Sequence, residues 1–178
     1  KHPRLTEHLI DFEKPAKWKT LVKGDVLFSA LGTTLRKAGS KENQFRVDYT
    51  YQYELAKAAA ANGIPDFVLV SSAGANPGSF IFYSKMKGEL EEAVQQLKFR
   101  RVFIFRPSFL EGNRLEKRKT EKFLLILAKI ITSVFFRKYK PIRARIVAQA
   151  MINAIFSGER EPGTAIYHPE ELFYLATN

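Results

Sequence analysis

Tyr83 and Lys87 stand four residues apart, eleven residues after Ser71-Ser72. A spacing of four puts two side chains on one face of a helix, one turn apart. An ammonium beside a phenol favours the phenolate, so this tyrosine is expected to exchange a proton nearer neutral pH. A serine hydroxyl at the end of the preceding strand can hold a substrate oxygen. Together the side chains form a device for moving a proton on or off an alcohol or carbonyl oxygen. Such a pair also arises by chance, as a half-buried phenol beside a snorkelling lysine. Its setting, at a helix start after a strand ending in two serines, favours the catalytic reading.

The elements that must position these groups alternate along the chain. Leu9-Ile10-Asp11-Phe12 reads as a short strand. Glu13 to Leu21 reads as a helix with Pro15 in its first turn, where a missing N–H costs little. Val26 to Leu31 and Phe67 to Val70 are apolar runs suited to buried parallel strands. Between them a helix is expected from about Asn43 to Asn62, stopped by Asn62-Gly63. A second helix spans about Tyr83 to Leu97, with Met86, Leu90, Val94 and Leu97 as its inner stripe. Arg101 to Phe105 is a further strand, ended by Arg106-Pro107. Arg143 to Phe156 makes a helix with Ile146, Val147, Ala150, Met151, Ala154 and Ile155 inward. Gly158 to Gly163 turns the chain, and Thr164 to Tyr167 adds a last strand. Alternating buried strands and helices predict an α/β, doubly wound parallel sheet with helices on both faces. One domain is expected over residues 1–178, with 114–178 as its C-terminal, substrate-side segment.

The chain has 178 residues, 46% of them hydrophobic and 26% charged, as in an ordinary globular domain. It has no cysteine, which excludes disulfides, thiolate metal sites and a cysteine nucleophile. A cytoplasmic location fits that composition and the lack of a visible signal peptide. His2, His8 and His168 are scattered, so no metal site is expected. Glu91-Glu92 and Glu170-Glu171 are adjacent pairs whose side chains diverge, and they read as solvated faces. No Gly-x-Ser-x-Gly elbow and no Walker-type phosphate loop are found. The net charge is +11, and residues 114–145 carry 11 basic against 2 acidic side chains. Such a patch attracts phosphates on a nucleotide, an anionic membrane or a nucleic acid. Within it Phe123 to Phe136 is mainly apolar, yet shorter than the roughly 20 residues that span a bilayer. It reads first as a helix packed on the domain or a substrate lid, and second as a weak membrane-surface contact. No aromatic-interleaved or recognition-helix pattern supports base readout, which ranks nucleic acid last.

Ala30-Leu31-Gly32-Thr33-Thr34 ends one strand and Arg106-Pro107-Ser108-Phe109 another, both at the edge where open α/β sheets bind ligands. A glycine there lets a flat ligand approach the backbone closely. In order, Val70-Ser71-Ser72, Tyr83-x-x-x-Lys87 and Arg106-Pro107 resemble the short-chain dehydrogenase/reductase superfamily. Leu31-Gly32-Thr33-Thr34, Val47-Asp48-Tyr49, Ser71 to Ala75 and Tyr83 to Glu89 most resemble its atypical branch, similar to the Tat-interacting-protein oxidoreductase. The likeness covers roughly residues 9–157.

The resemblance implies an NAD(P)-dependent oxidoreductase, with NADP slightly preferred over NAD, acting on a small carbonyl or alcohol substrate. Tyr83 would be the general acid/base, and Lys87 would lower its pKa and bond the nicotinamide ribose. Ser72 would hold the reacting oxygen, with Ser71 as the fallback. Asp11 and Phe12 would lie near the adenine, Ala30, Leu31 and Gly32 along the adenosine and ribose, and Pro107, Ser108 and Phe109 beside the nicotinamide. The superfamily's Gly-x-x-Gly-x-x-Gly turn is not among these residues, so the reading begins near the third strand. Since the first residue is Lys1, the natural N-terminus is expected to lie further upstream. Many relatives carry asparagine where Asp48 stands. The alternative is a non-catalytic protein that senses NAD(P) for regulation or protein interaction.

Overall fold

The computed structural model describes residues 2–111, 141–156 and 161–177. Strands β1 (Val26–Ser29), β2 (Asp66–Val70) and β3 (Arg101–Phe105) come first in the chain. Among the described residues the short strands β4 (Leu110–Glu111) and β5 (Ile142–Arg143) pair with each other, and β6 (Gly163–Tyr167) returns to the main sheet. That sheet has the order β1-β2-β3-β6, with every pairing parallel. Val26 stands level with Asp66, Asp66 with Arg101, and Arg101 with Gly163. The carboxyl ends therefore finish along one edge, at Ser29, Val70, Phe105 and Tyr167.

Side chains alternate across a strand, so each apolar run feeds two cores. Phe67, Leu69, Val102 and Ile104 face one side and pack with Ala56, Leu90 and Val94. Val68, Phe103 and Phe105 face the other and pack with Val147, Ala150, Met151, Ala154, Ile155 and Leu172. Burial on both faces explains why β2 and β3 read as continuous apolar runs.

The first-mentioned face is covered by α3 (Tyr51–Ala61) and α4 (Phe82–Gln95), and the short helices α1 (Leu35–Ala38) and α2 (Lys41–Phe45) lead from β1 into α3. Ser40 caps α2 by accepting the Asn43 N–H. A single π-helical turn, Arg46–Thr50, joins α2 to α3, so 41–61 runs as one rod. Gly63 ends it in the left-handed region, at φ 79°. The second face is covered by α5 (Ala144–Phe156) and α6 (Pro169–Leu175).

The expected parallel sheet with flanking helices is what the chain forms. Two local expectations fail. Leu9 to Phe12 is not a strand: no neighbouring strand satisfies its backbone, and Leu9 is fully exposed. Glu13 to Leu21 is not one helix but two 3-10 turns, Pro15–Lys17 and Lys19–Leu21, broken where Trp18 turns in to become 1% exposed. The apolar helix read at Phe123 to Phe136 and the basic stretch before it lie outside the described residues.

Candidate active site

Tyr83 and Lys87 are set by how α4 docks. Its inner stripe, Met86, Leu90 and Val94, is buried against the sheet. At Gly88 the helix touches the preceding loop: an added Cβ would stand 2.2 Å from the Pro77 nitrogen and 2.4 Å from the Asn76 carbonyl carbon. The Asn76 N–H donates to the Ser84 carbonyl at 3.0 Å. The Ala73 N–H donates to the Pro107 carbonyl, also at 3.0 Å, tying the loop after β2 to the loop after β3. Ser72, Tyr83 and Pro107 are thus held at the carboxyl edge of the sheet.

The geometry brings the three expected chemical residues together. Tyr83 is 39% exposed, with the Ser72 side chain close enough to its phenol to lower its pKa. Lys87, one helical turn on, is 2% exposed, and its Nζ donates to the Val70 carbonyl at 3.2 Å. The electrostatics differ from expectation. Burial raises the Tyr83 pKa, the Asp48 charge raises it further, and only the Ser72 side chain lowers it. Lys87 exerts no resolved pull on the phenol. The lysine is itself depressed to about 8 by burial, with Asp48 and Glu91 holding it up. Tyr83 is therefore a protonated phenol at neutral pH, suited to donating.

Two acidic residues complete the site, and neither was among the expected site residues. Asp48 sits in the π-helical turn, 2% exposed, and its Oδ2 accepts the Thr33 N–H at 2.8 Å. Its backbone carbonyl accepts from Gln52 Nε2 at 2.6 Å, while Gln52 Oε1 accepts from Ser29 Oγ at 2.8 Å. This chain of bonds ties the end of β1 to the helix rod. Burial raises the Asp48 pKa, against the Thr33 hydrogen bond and the Lys87 charge. Glu91 is 2% exposed, not part of a solvated face as its pairing with Glu92 suggested. It accepts from Arg106 Nε at 3.0 Å and from the Ser71 hydroxyl. Ser71 is thus committed to an ion-paired network, which leaves Ser72 facing Tyr83.

The other expected positions spread along the edge. Ala30, Leu31 and Gly32 are exposed just beyond β1, and a Cβ on Gly32 would come within 3.1 Å of Asp48 Oδ1. Pro107 is buried, Ser108 half-buried and Phe109 51% exposed. Asp11 is bound locally to Lys14 at 2.8 Å, a contact that lowers its pKa. Phe12 stacks on Tyr51 with centroids 4.7 Å apart. Phe12 lines an open cavity of about 770 Å³ with Lys41, Phe45, Arg46, Tyr51 and Phe82. None of Ser72, Tyr83 or Lys87 lines that cavity. Asp11 and Phe12 are not brought to the chemical centre. Among the described residues no group of three or more histidine or acidic side chains could hold a metal ion, and no helix is long and apolar enough to cross a membrane.

Comparison with known proteins narrows the reading. No family model matches the chain. Over 180 aligned positions it is 37% identical to the mitochondrial protein FMP52-1 of Scheffersomyces stipitis, covering 93% of this chain and 78% of that protein. The chain belongs to the FMP52 family. Other FMP52 proteins match it over 41% to 62% of their own length. These relatives are named as mitochondrial, which overturns the cytoplasmic expectation. A cysteine-free composition does not separate the two compartments. Among solved structures, the fold of this FMP52-family chain is similar to the Bordetella bronchiseptica enzyme WbmH in complex with NAD+. That match has a TM-score of 0.65 at 15% identity, over 98% of this chain and 65% of WbmH. It is also similar to dTDP-4-dehydrorhamnose reductase of Bacillus anthracis in complex with NADP, with a TM-score of 0.62 at 16% identity, over 95% of this chain and 69% of the reductase. This chain thus shares the fold of enzymes solved with NAD+ or NADP bound.

Proposed function

We propose that this protein is an NAD(P)(H)-dependent oxidoreductase of the short-chain dehydrogenase/reductase type, in its atypical branch, interconverting a carbonyl and an alcohol. The observation that carries the reading is the Tyr83 phenol, close to Ser72 at the ligand edge of a parallel sheet, one helical turn from the buried Lys87 amine. The residues fit a nicotinamide dinucleotide at that edge. Gly32 leaves open a space that a Cβ would bring up against Asp48, and the Lys87 amine lies beside the end of β2. Lys87 would bond the nicotinamide ribose. Ala30, Leu31 and Gly32 would border the adenosine and ribose, Asp11 and Phe12 the adenine, and Pro107, Ser108 and Phe109 the nicotinamide. When bound, the cofactor supplies or accepts the hydride. Tyr83, protonated at neutral pH, gives its proton to the carbonyl oxygen, and Ser72 holds that oxygen in line.

The test is turnover of a broad carbonyl panel with NADPH and with NADH, beside direct titration of both cofactors. Cofactor-dependent reduction, stronger with NADPH, is expected. Cofactor binding without turnover across the panel would instead support a sensing role. The relatives' names extend the proposal to location: a fluorescent fusion of the natural full-length protein should coincide with a mitochondrial marker, and diffuse cytosolic fluorescence would contradict that part.

A further inference from the structure

The chain carries 26% charged residues and a net charge of +11, yet among the described residues little of that charge lies on the segments that follow β1, β2 and β3 at the edge where Tyr83 stands. Four segments leave the sheet at the ligand edge; the one after β6 starts at His168 and carries Glu170 and Glu171 into α6, and the other three follow β1, β2 and β3. Residues 30–35 and 71–81 contain no charged side chain. Residues 106–110 contain one, Arg106, which is bound to the buried Glu91. The same segments hold exposed apolar side chains: Leu31 at 36%, Leu35 at 48%, Phe80 at 107%, Ile81 at 67%, Phe109 at 51% and Leu110 at 41%. The segments are tied together by the Ala73–Pro107 backbone bond and by Asp48, which bonds Thr33 and exerts its charge on both Tyr83 and Lys87. Single exposed apolar residues need no explanation, but several on loops that leave one sheet edge together offer an apolar binding surface.

We infer that the substrate is an uncharged, apolar aldehyde or ketone whose hydrocarbon part lies on the Phe80-Ile81 and Phe109-Leu110 loops. A nucleotide-diphosphate sugar would bring phosphate charges to loops whose one cation is already neutralised, and desolvating them there is costly. An alkyl chain meets no such penalty. This inference rests on the oxidoreductase reading and specifies its substrate. The reaction is a two-electron reduction: hydride to carbon from the reduced nicotinamide of that reading, proton to oxygen from Tyr83, giving the alcohol.

The test compares kcat/KM for straight-chain aldehydes from propanal to nonanal with succinic semialdehyde, a charged analogue. Alongside it, thermal stabilisation by the matching n-alkanols is measured on the protein alone. The rate constant should rise with each methylene, by up to about fourfold, the equivalent of burying one CH2. Succinic semialdehyde should fall at least tenfold below butanal. Phe80→Ser and Phe109→Ser, both at exposed positions, should flatten the chain-length dependence. A flat series, or preference for the charged aldehyde, would overturn the inference. If no carbonyl is turned over, the oxidoreductase reading fails by itself, and the alkanols decide the apolar surface. Stabilisation growing with chain length upholds it; an unvarying response removes it.

Discussion

The Lys87 amine is the most altered titrating group of the site, and its cause is burial rather than pairing. Its folded pKa of about 8 lies below the ordinary 10.5. Between those values the unfolded chain binds more protons than the folded one, so stability should rise with pH through that window. Denaturant midpoints at pH 8 and pH 10 check this, and Lys87→Met should lose the rise. Asp48 supports the charged amine from the π-helical turn. Asp48→Asn should therefore lower the Lys87 pKa below 8, read directly from the side-chain NMR titration of the lysine. An unchanged value would remove Asp48 from that role. Tyr83, Lys87 and Ser72 were legible because their spacing and order carry the chemistry. The direction of the tyrosine's shift was not legible, since it depends on how deep the ring sits and on a carboxylate from another helix. Glu91 had a signal that was missed. Tyr83, Lys87 and Glu91 follow one another at intervals of four, so all three share the inner face of α4. The adjacent Glu92 obscured that spacing.

How α4 meets the loop before it decides whether Ser72 and Tyr83 face each other. Gly88 is the contact point, and the atoms a Cβ would strike are backbone and a proline ring, which cannot move aside cheaply. Gly88→Ala should destabilise the fold by about 1–3 kcal/mol, the usual cost of overpacking, and reduce turnover beyond what the lost folded fraction explains. Circular dichroism melts beside assays at low temperature separate the two effects. A variant as stable and active as the parent would show that the loop packs elsewhere. The strands and main helices could be read because both faces of the sheet are covered, which turns each strand into an unbroken apolar run. The π-helical turn at Arg46–Thr50 has no comparable pattern. It follows from the buried Asp48 carboxylate and the Gln52 bridge to Ser29, contacts made across the fold. Leu9 to Phe12 failed as a strand for the opposite reason: its local pattern was right, but a strand also needs a neighbour.

Across the molecule, the register of four parallel strands puts every chemical group on one edge, and this follows from the order of elements alone. Location in the cell does not follow, because neither composition nor fold encodes it in the described residues. The account depends on Tyr83 giving a proton to a carbonyl oxygen held by Ser72. That is tested most directly by kcat/KM for NADPH-dependent aldehyde reduction in the parent protein and in Tyr83→Phe, which keeps the ring and removes the hydroxyl. A fall of roughly 10² to 10⁴, with cofactor affinity preserved, is the expected result. Equal rates in the two proteins would contradict the assignment.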